Sequence, residues 1–198
     1  MADDGKKIGS HKWGIYAFFD YDGEPIYVGQ TYEGLGSRIG RHLTNQRTDA
    51  VAMNVLDPFE VAEIRVWPLD ISAIPELERR DYLDRAEFTV FQKVIKESKL
   101  GAILNEKPPR QTELVNLPKS YFRRIIPDSI FPHRKHADVR IARRAATIAS
   151  LARRISERSV KRGLRTTLLT QAKRLERLAE ARLNDFPAGA EDEDQNED

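Results

Sequence analysis

The chain has 198 residues, 40% hydrophobic and 32% charged, and no cysteine, which excludes disulfides, zinc–thiolate sites and thiol nucleophiles. No run approaches the roughly 18 uncharged apolar residues of a membrane helix, and the opening MADDGKKIGSHKWG has no apolar signal region, so the expected address is the cytoplasm. The net charge of +2 conceals a segregation: residues 1–132 carry 18 basic and 20 acidic side chains, residues 133–184 carry 15 and 4, and residues 185–198 carry no base and seven acids.

In chain order, Trp13 to Asp20 (WGIYAFFD) is aromatic-rich and β-branched, as a strand should be. Asp20-Tyr21-Asp22-Gly23 reads as a turn, and Pro25 to Gly29 (PIYVG) as a second strand completing a hairpin. Leu35, Ile39 and Leu43 recur every four residues and predict a helix over 34–46. Phe59 to Trp67 alternates near its end and predicts a third strand. Pro75 can open a helix, which Leu83, Ala86, Val90 and Val94 carry to about Lys96, with Gly101 as its stop. The order is ββαβα. It predicts an α+β fold, a small three-stranded mixed sheet flanked by helices, occupying residues 1–107.

Five prolines make residues 108–136 an extended connector with one short element near Tyr121–Ile126. Residues 137–186 follow as a basic helical region broken at Gly163. Ile141, Ala145, Ile148, Leu151 (or Ala152) and Ile155 form its first apolar stripe, and Leu164, Leu168, Leu175 and Leu178 its second. The acidic tail, 187–198, has the composition of a disordered segment.

Three features carry chemistry. Glu87 falls within the apolar stripe of the second long helix, where a carboxylate is costly unless it pairs with an arginine or binds a cation. Arg38 and His42, spaced i, i+4 with Arg41 beside them, share one helix face that could hold a phosphate or simply face solvent. Tyr16 and Tyr27 lie one on each strand of the hairpin, a place where tyrosine also serves for packing.

Together these residues resemble the GIY-YIG nuclease family over about residues 13–107. Gly14-Ile15-Tyr16 and Tyr27-Val28-Gly29 match its two name-giving motifs, Arg38 and His42 its helical arginine and histidine, Glu87 its glutamate and Asn105 its asparagine. One position departs: Gln30 stands where a lysine is frequent. The resemblance implies a DNA endonuclease with a divalent ion, Mg²⁺ or Mn²⁺, held by Glu87. A single carboxylate suffices for Mg²⁺, which keeps most of its waters. In this reading Arg38 clamps the scissile phosphate with its forked guanidinium. Tyr16 is the general base, its pKa lowered by Arg38 and the metal; Tyr27 orients the water, or the two tyrosines exchange roles. His42 relays the proton with a pKa near neutrality, and Asn105 positions backbone or phosphate, or serves only as a helix-end cap. The alternative is the same fold, catalytically idle, binding nucleic acid or tethering a partner.

The basic region lies outside the resemblance. Its charge predicts DNA contacts through Arg140, Arg143, Arg144, Arg153, Arg154, Lys161 and Arg165, with Arg41 adding to them from the first helix. The competing expectation is a homodimer arm built on the Leu164–Leu178 stripe. A DNA partner would place the chain at the nucleoid.

Overall fold

The computed structural model describes residues 2–44, 56–105 and 107–186. Four strands form one sheet: β1 (Trp13–Phe19), β2 (Pro25–Thr31), β3 (Glu63–Leu69) and β4 (Tyr121–Arg124), in the order β2-β1-β3-β4. Among the described residues five α-helices accompany it: α1 (Leu35–Thr44), α2 (Glu76–Glu97), α3 (Phe131–Lys135), α4 (Ala137–Glu157) and α5 (Arg162–Asn184). The α+β class and the ββαβα order are as the sequence predicts. The sheet differs in two ways. Every pairing in it is antiparallel, so it is not mixed, and a fourth strand comes from the proline-rich connector. Tyr121 and Phe122 favour a strand, while Pro118 and Pro127 keep it short and confine it to an edge.

The β1–β2 turn is closed by Asp20, whose Oδ1 accepts from the backbone N–H of Asp22 (2.9 Å) and of Glu24 (3.0 Å). Alternation then divides the strands between two faces. On one face, Ile15, Ala17, Phe19, Val28 and Trp67 pack against Leu83, Ala86, Val90 and Val94 of α2. On the other, Tyr16, Phe18, Ile64 and Val66 meet Leu35 of α1 and also Leu151 and Leu164 of α4 and α5. α2 begins with Glu76 and Glu78, which suit the positive end of the helix dipole.

α4 and α5 run antiparallel. Arg182, in the last turn of α5, donates from Nε and Nη2 to Asp138 in the first turn of α4, both at 3.0 Å. The face α4 buries shares Leu151 with the predicted apolar stripe but is otherwise different. Arg140, Arg144 and Leu151 are its buried residues, while Ala145 is exposed and Ile141 and Ile148 only half-buried. The arginines meet acids from the sheet side. Arg144 donates to Glu60 Oε2 at 3.0 Å and to Asp20 Oδ2 at 2.9 Å. Arg174 of α5 reaches the same Asp20 oxygen at 2.6 Å, and Arg140 donates to both oxygens of Asp22. Buried charges of this kind need partners, and here each arginine meets at least one carboxylate, although Glu60 Oε1 and Arg140 Nε are left without a hydrogen bond.

The stripe that suggested a homodimer is largely used inside the chain: Leu164 is buried and Leu168 packs beside it. Residues 45 and 46 of the first predicted helix and the acidic tail 187–198 lie outside the described residues.

Candidate active site

Tyr16 on β1 faces Gly29 on β2 across the hairpin. A Cβ on Gly29 would lie 2.6 Å from the Tyr16 hydroxyl and 2.9 Å from the Tyr27 ring. The glycine after Tyr27-Val28 is therefore what lets the tyrosine ring lie flat over the neighbouring strand. Gly14 works alike, because a Cβ there would meet Leu35 and the Trp67 carbonyl oxygen, both at 2.8 Å. The two motif glycines seat α1 and Tyr16 against the sheet.

α1 then brings His42 over this surface. Its ring centroid lies 5.9 Å from that of Tyr16 and 5.2 Å from that of Tyr27; the two tyrosine rings are 6.2 Å apart. His42 is buried and neither ring nitrogen has a hydrogen-bond partner. Burial, helped by the cationic Arg38 and Arg41, lowers its pKa to about 4. The expected value near neutrality is thereby corrected: His42 is a neutral imidazole at physiological pH.

The Tyr16 hydroxyl is buried without a well-formed hydrogen bond. Burial first, and then Tyr27, push its pKa above the ordinary phenol value; the nearby Arg38 guanidinium opposes this without cancelling it. The expectation that Arg38 lowers it is corrected accordingly, since desolvation of the phenolate outweighs one flanking cation.

Glu87 projects from α2 toward the same place. Its pKa is raised to about 7, by burial and then by the carboxylate of Asp84, against a hydrogen bond from Gln30 and the charge of Arg38. No lysine or arginine among the described residues forms an ion pair with it, so of the two readings of a carboxylate in this stripe, the salt bridge does not hold. Gln30 Nε2 donates to Glu87 Oε2 at 3.1 Å and to Asp84 Oδ1 at 2.6 Å. Asp84 is absent from the residues the sequence singles out. Its place one turn before Glu87 on α2 is the signal that could have found it.

Asn105 stands behind this group. Its Oδ1 accepts from the Val28 N–H at 2.9 Å and its Nδ2 donates to the Val28 carbonyl at 2.8 Å, so it clamps the free edge of β2 between Tyr27 and Gly29. Of the readings open for it, backbone positioning is the one seen.

Several of the side chains expected to contact DNA are engaged inside the chain instead. Arg140 and Arg144 are buried in ion pairs and unavailable to DNA. Arg143 is bound by Asp57 at 2.7 and 2.9 Å and stacks on Phe59. Arg41 is held by Glu33 at 2.7 Å. Arg153, Lys161 and Arg165 are exposed and Arg154 is half-buried.

A divalent cation suits this donor set. Among the described residues no three His, Cys, Asp or Glu side chains converge as a closed cage. Mg²⁺ needs only one or two carboxylates and keeps its waters. Glu87 without a cationic partner, with Asp84 beside it, meets that requirement.

Residues 12–85 match the family model of the GIY-YIG catalytic domain. The match takes in Tyr16, Tyr27, Arg38, His42 and Asp84, and stops just short of Glu87. Neither the curated proteins nor the solved structures compared with this chain give a significant match. The domain matched is of a nuclease type, and no described helix is long and apolar enough to cross a membrane.

Proposed function

We propose that the chain is a DNA endonuclease of the GIY-YIG type that hydrolyses phosphodiester bonds with the aid of Mg²⁺ or Mn²⁺. The observation carrying this reading is Glu87: a half-buried carboxylate, unpaired by any cation among the described residues, within electrostatic reach of Arg38 and the hydroxyl of Tyr16. Glu87, with Asp84 adjacent, would hold the ion, which when bound supplies charge to stabilise the phosphoryl oxygens and the leaving 3′-oxygen. Arg38 binds the scissile phosphate through its fork of donors. Tyr16 takes a proton from the attacking water only as phenolate, so the positive charge gathered around its hydroxyl must outweigh its burial. Tyr27 orients that water. His42, neutral and in ring contact with both tyrosines, offers an acceptor nitrogen for the proton. Asn105 acts through the backbone of β2.

The DNA would approach along the junction of α4 and α5. From Arg153 to Arg165 the sequence carries six cations (Arg153, Arg154, Arg158, Lys161, Arg162, Arg165) against Glu157. Leu151, Val160 and Leu164 of the same stretch pack in the cluster that contains Tyr16. These cations therefore sit at the end of the helical pair nearest the site. A location at the nucleoid goes with this reading.

Nicking of supercoiled plasmid in Mg²⁺ and its loss in EDTA test the proposal. Glu87→Ala is expected to abolish cutting while retaining DNA binding, and Arg38→Lys to lose most activity. DNA binding by the wild type with no cleavage in either Mg²⁺ or Mn²⁺ would favour the idle, DNA-tethering form of the fold.

A further inference from the structure

Gln30 occupies the position directly after the Tyr27-Val28-Gly29 motif. Its single amide nitrogen donates to two carboxylates of α2, Asp84 at 2.6 Å and Glu87 at 3.1 Å. The two acceptors fix the orientation of the amide, because the reverse one would aim a carbonyl oxygen at two anions. Oε1 therefore faces away from them, and it is buried with no donor. The Tyr16 hydroxyl, wholly buried and also unpartnered, lies within electrostatic reach of Glu87. Asp84, like Glu87, forms no ion pair among the described residues.

Two carboxylates thus stand near the Gln30 amide oxygen and the Tyr16 hydroxyl, and among the described residues the side-chain donor that bonds both carboxylates is a neutral amide. Two half-buried carboxylates held one turn apart repel each other, and one amide offsets that repulsion weakly. Oxygen donors in this number, two of them anionic, are the chemistry of a hard, hydrated divalent ion. A lysine at position 30 would place a fixed positive charge between the carboxylates. Glutamine leaves that place neutral.

We propose that the cation centre of this chain is a two-carboxylate one, Asp84 completing it with Glu87 and Gln30 acting as the positioning residue that ties the pair together. The inference rests on the nuclease reading for its cation, and extends it to residues outside the motif set. Gln30 holds the two side chains in register on one face of α2 through its one amide nitrogen.

Titration calorimetry with Mn²⁺ alone, on the full chain without DNA, tests it. Asp84→Asn preserves shape and the acceptor for Gln30, and is expected to weaken Mn²⁺ binding about tenfold with an unchanged melting curve. Glu87→Gln is expected to remove binding. Gln30→Lys is expected to weaken Mn²⁺ binding at least as much as Asp84→Asn while raising the melting temperature, since the ammonium competes for the same place. Mn²⁺ binding of wild-type strength in both Asp84→Asn and Gln30→Lys, with Glu87→Gln inactive in binding, overturns the proposal and leaves the nuclease reading standing. A wild type that neither binds Mn²⁺ nor cuts DNA overturns both.

Discussion

Gly29 and Tyr16 face each other on one rung of the hairpin, and the space between them is already filled. Gly29→Ala must move the Tyr16 ring or part the strands. Overpacking of a close-fitted interior typically costs about 1–3 kcal/mol. The expected outcome is a loss of that order in urea unfolding, with cleavage falling further than stability because the hydroxyl is displaced. His42 gives the site a second measurable signature. Its folded pKa, about 4, lies below the ordinary histidine value, so the unfolded chain binds the proton more tightly. Stability is then full above about pH 6.5 and is lost as pH falls toward 4, by up to about 3 kcal/mol at roughly 1.4 kcal/mol per pKa unit. His42→Phe should flatten that slope when unfolding is followed from pH 7 to pH 4. Tyr16, Tyr27, Arg38 and Glu87 were legible in the sequence because spacing along a strand or helix is a one-dimensional property. The direction of the Tyr16 and His42 shifts was not, because desolvation depends on what the rest of the chain lays over them.

β2 is an edge strand, and its exposed backbone is held by a side chain. Asn105 reproduces a strand neighbour with one donor and one acceptor, both engaged at Val28. Leu104 N–H extends the pairing to the Ile26 carbonyl. Asn105→Ala leaves the Val28 N–H and C=O unpaired in a half-buried place, and such groups cost about 1–3 kcal/mol. The Val28 amide should then exchange its hydrogen orders of magnitude faster while the β1–β3 amides keep their protection. A uniform loss of protection would argue against a local clamp. At this scale the sequence foretold β1, β2, β3, α1 and α2, whose apolar patterns are long enough to show a period. Of β4 it foretold a short element near Tyr121–Ile126 but not a strand of the sheet, because four residues between prolines show no period and their pairing with Glu63–Val66 is long-range. The buried face of α4 escaped it for another reason. Arg140, Arg144 and Leu151 keep a helical spacing, but hydrophobic patterning reads Ile141 and Ala145 as the inner face and the arginines as solvated.

Charge counted along the chain is a poor guide to charge presented to DNA. Within the basic block, Arg140, Arg144 and Arg174 neutralise Asp20, Asp22 and Glu60; Arg143 neutralises Asp57, and Arg182 neutralises Asp138. The acids of the first 132 residues that appear merely to balance the composition are partly the counterions of the second region. Two consequences separate the roles of these arginines. Arg144→Ala strips a partner from two buried carboxylates and is expected to cost about 3–5 kcal/mol, whereas Arg153→Ala at the surface should cost under about 1 kcal/mol. DNA affinity should answer in the opposite sense. Each phosphate contact removed lowers the slope of log affinity against log salt by about 0.9, so Lys161→Ala and Arg165→Ala should each reduce it by about that much. Arg144→Ala, assayed where it remains folded, should leave the slope unchanged, because its guanidinium never meets the phosphate backbone. Fluorescence anisotropy of a labelled duplex between 50 and 200 mM salt reads this directly. An Arg144→Ala slope reduced as much as that of Lys161→Ala would mean that α4 lifts from the sheet to bind DNA, and that the ion pairs of Arg144 with Asp20 and Glu60 are a latch and not a foundation.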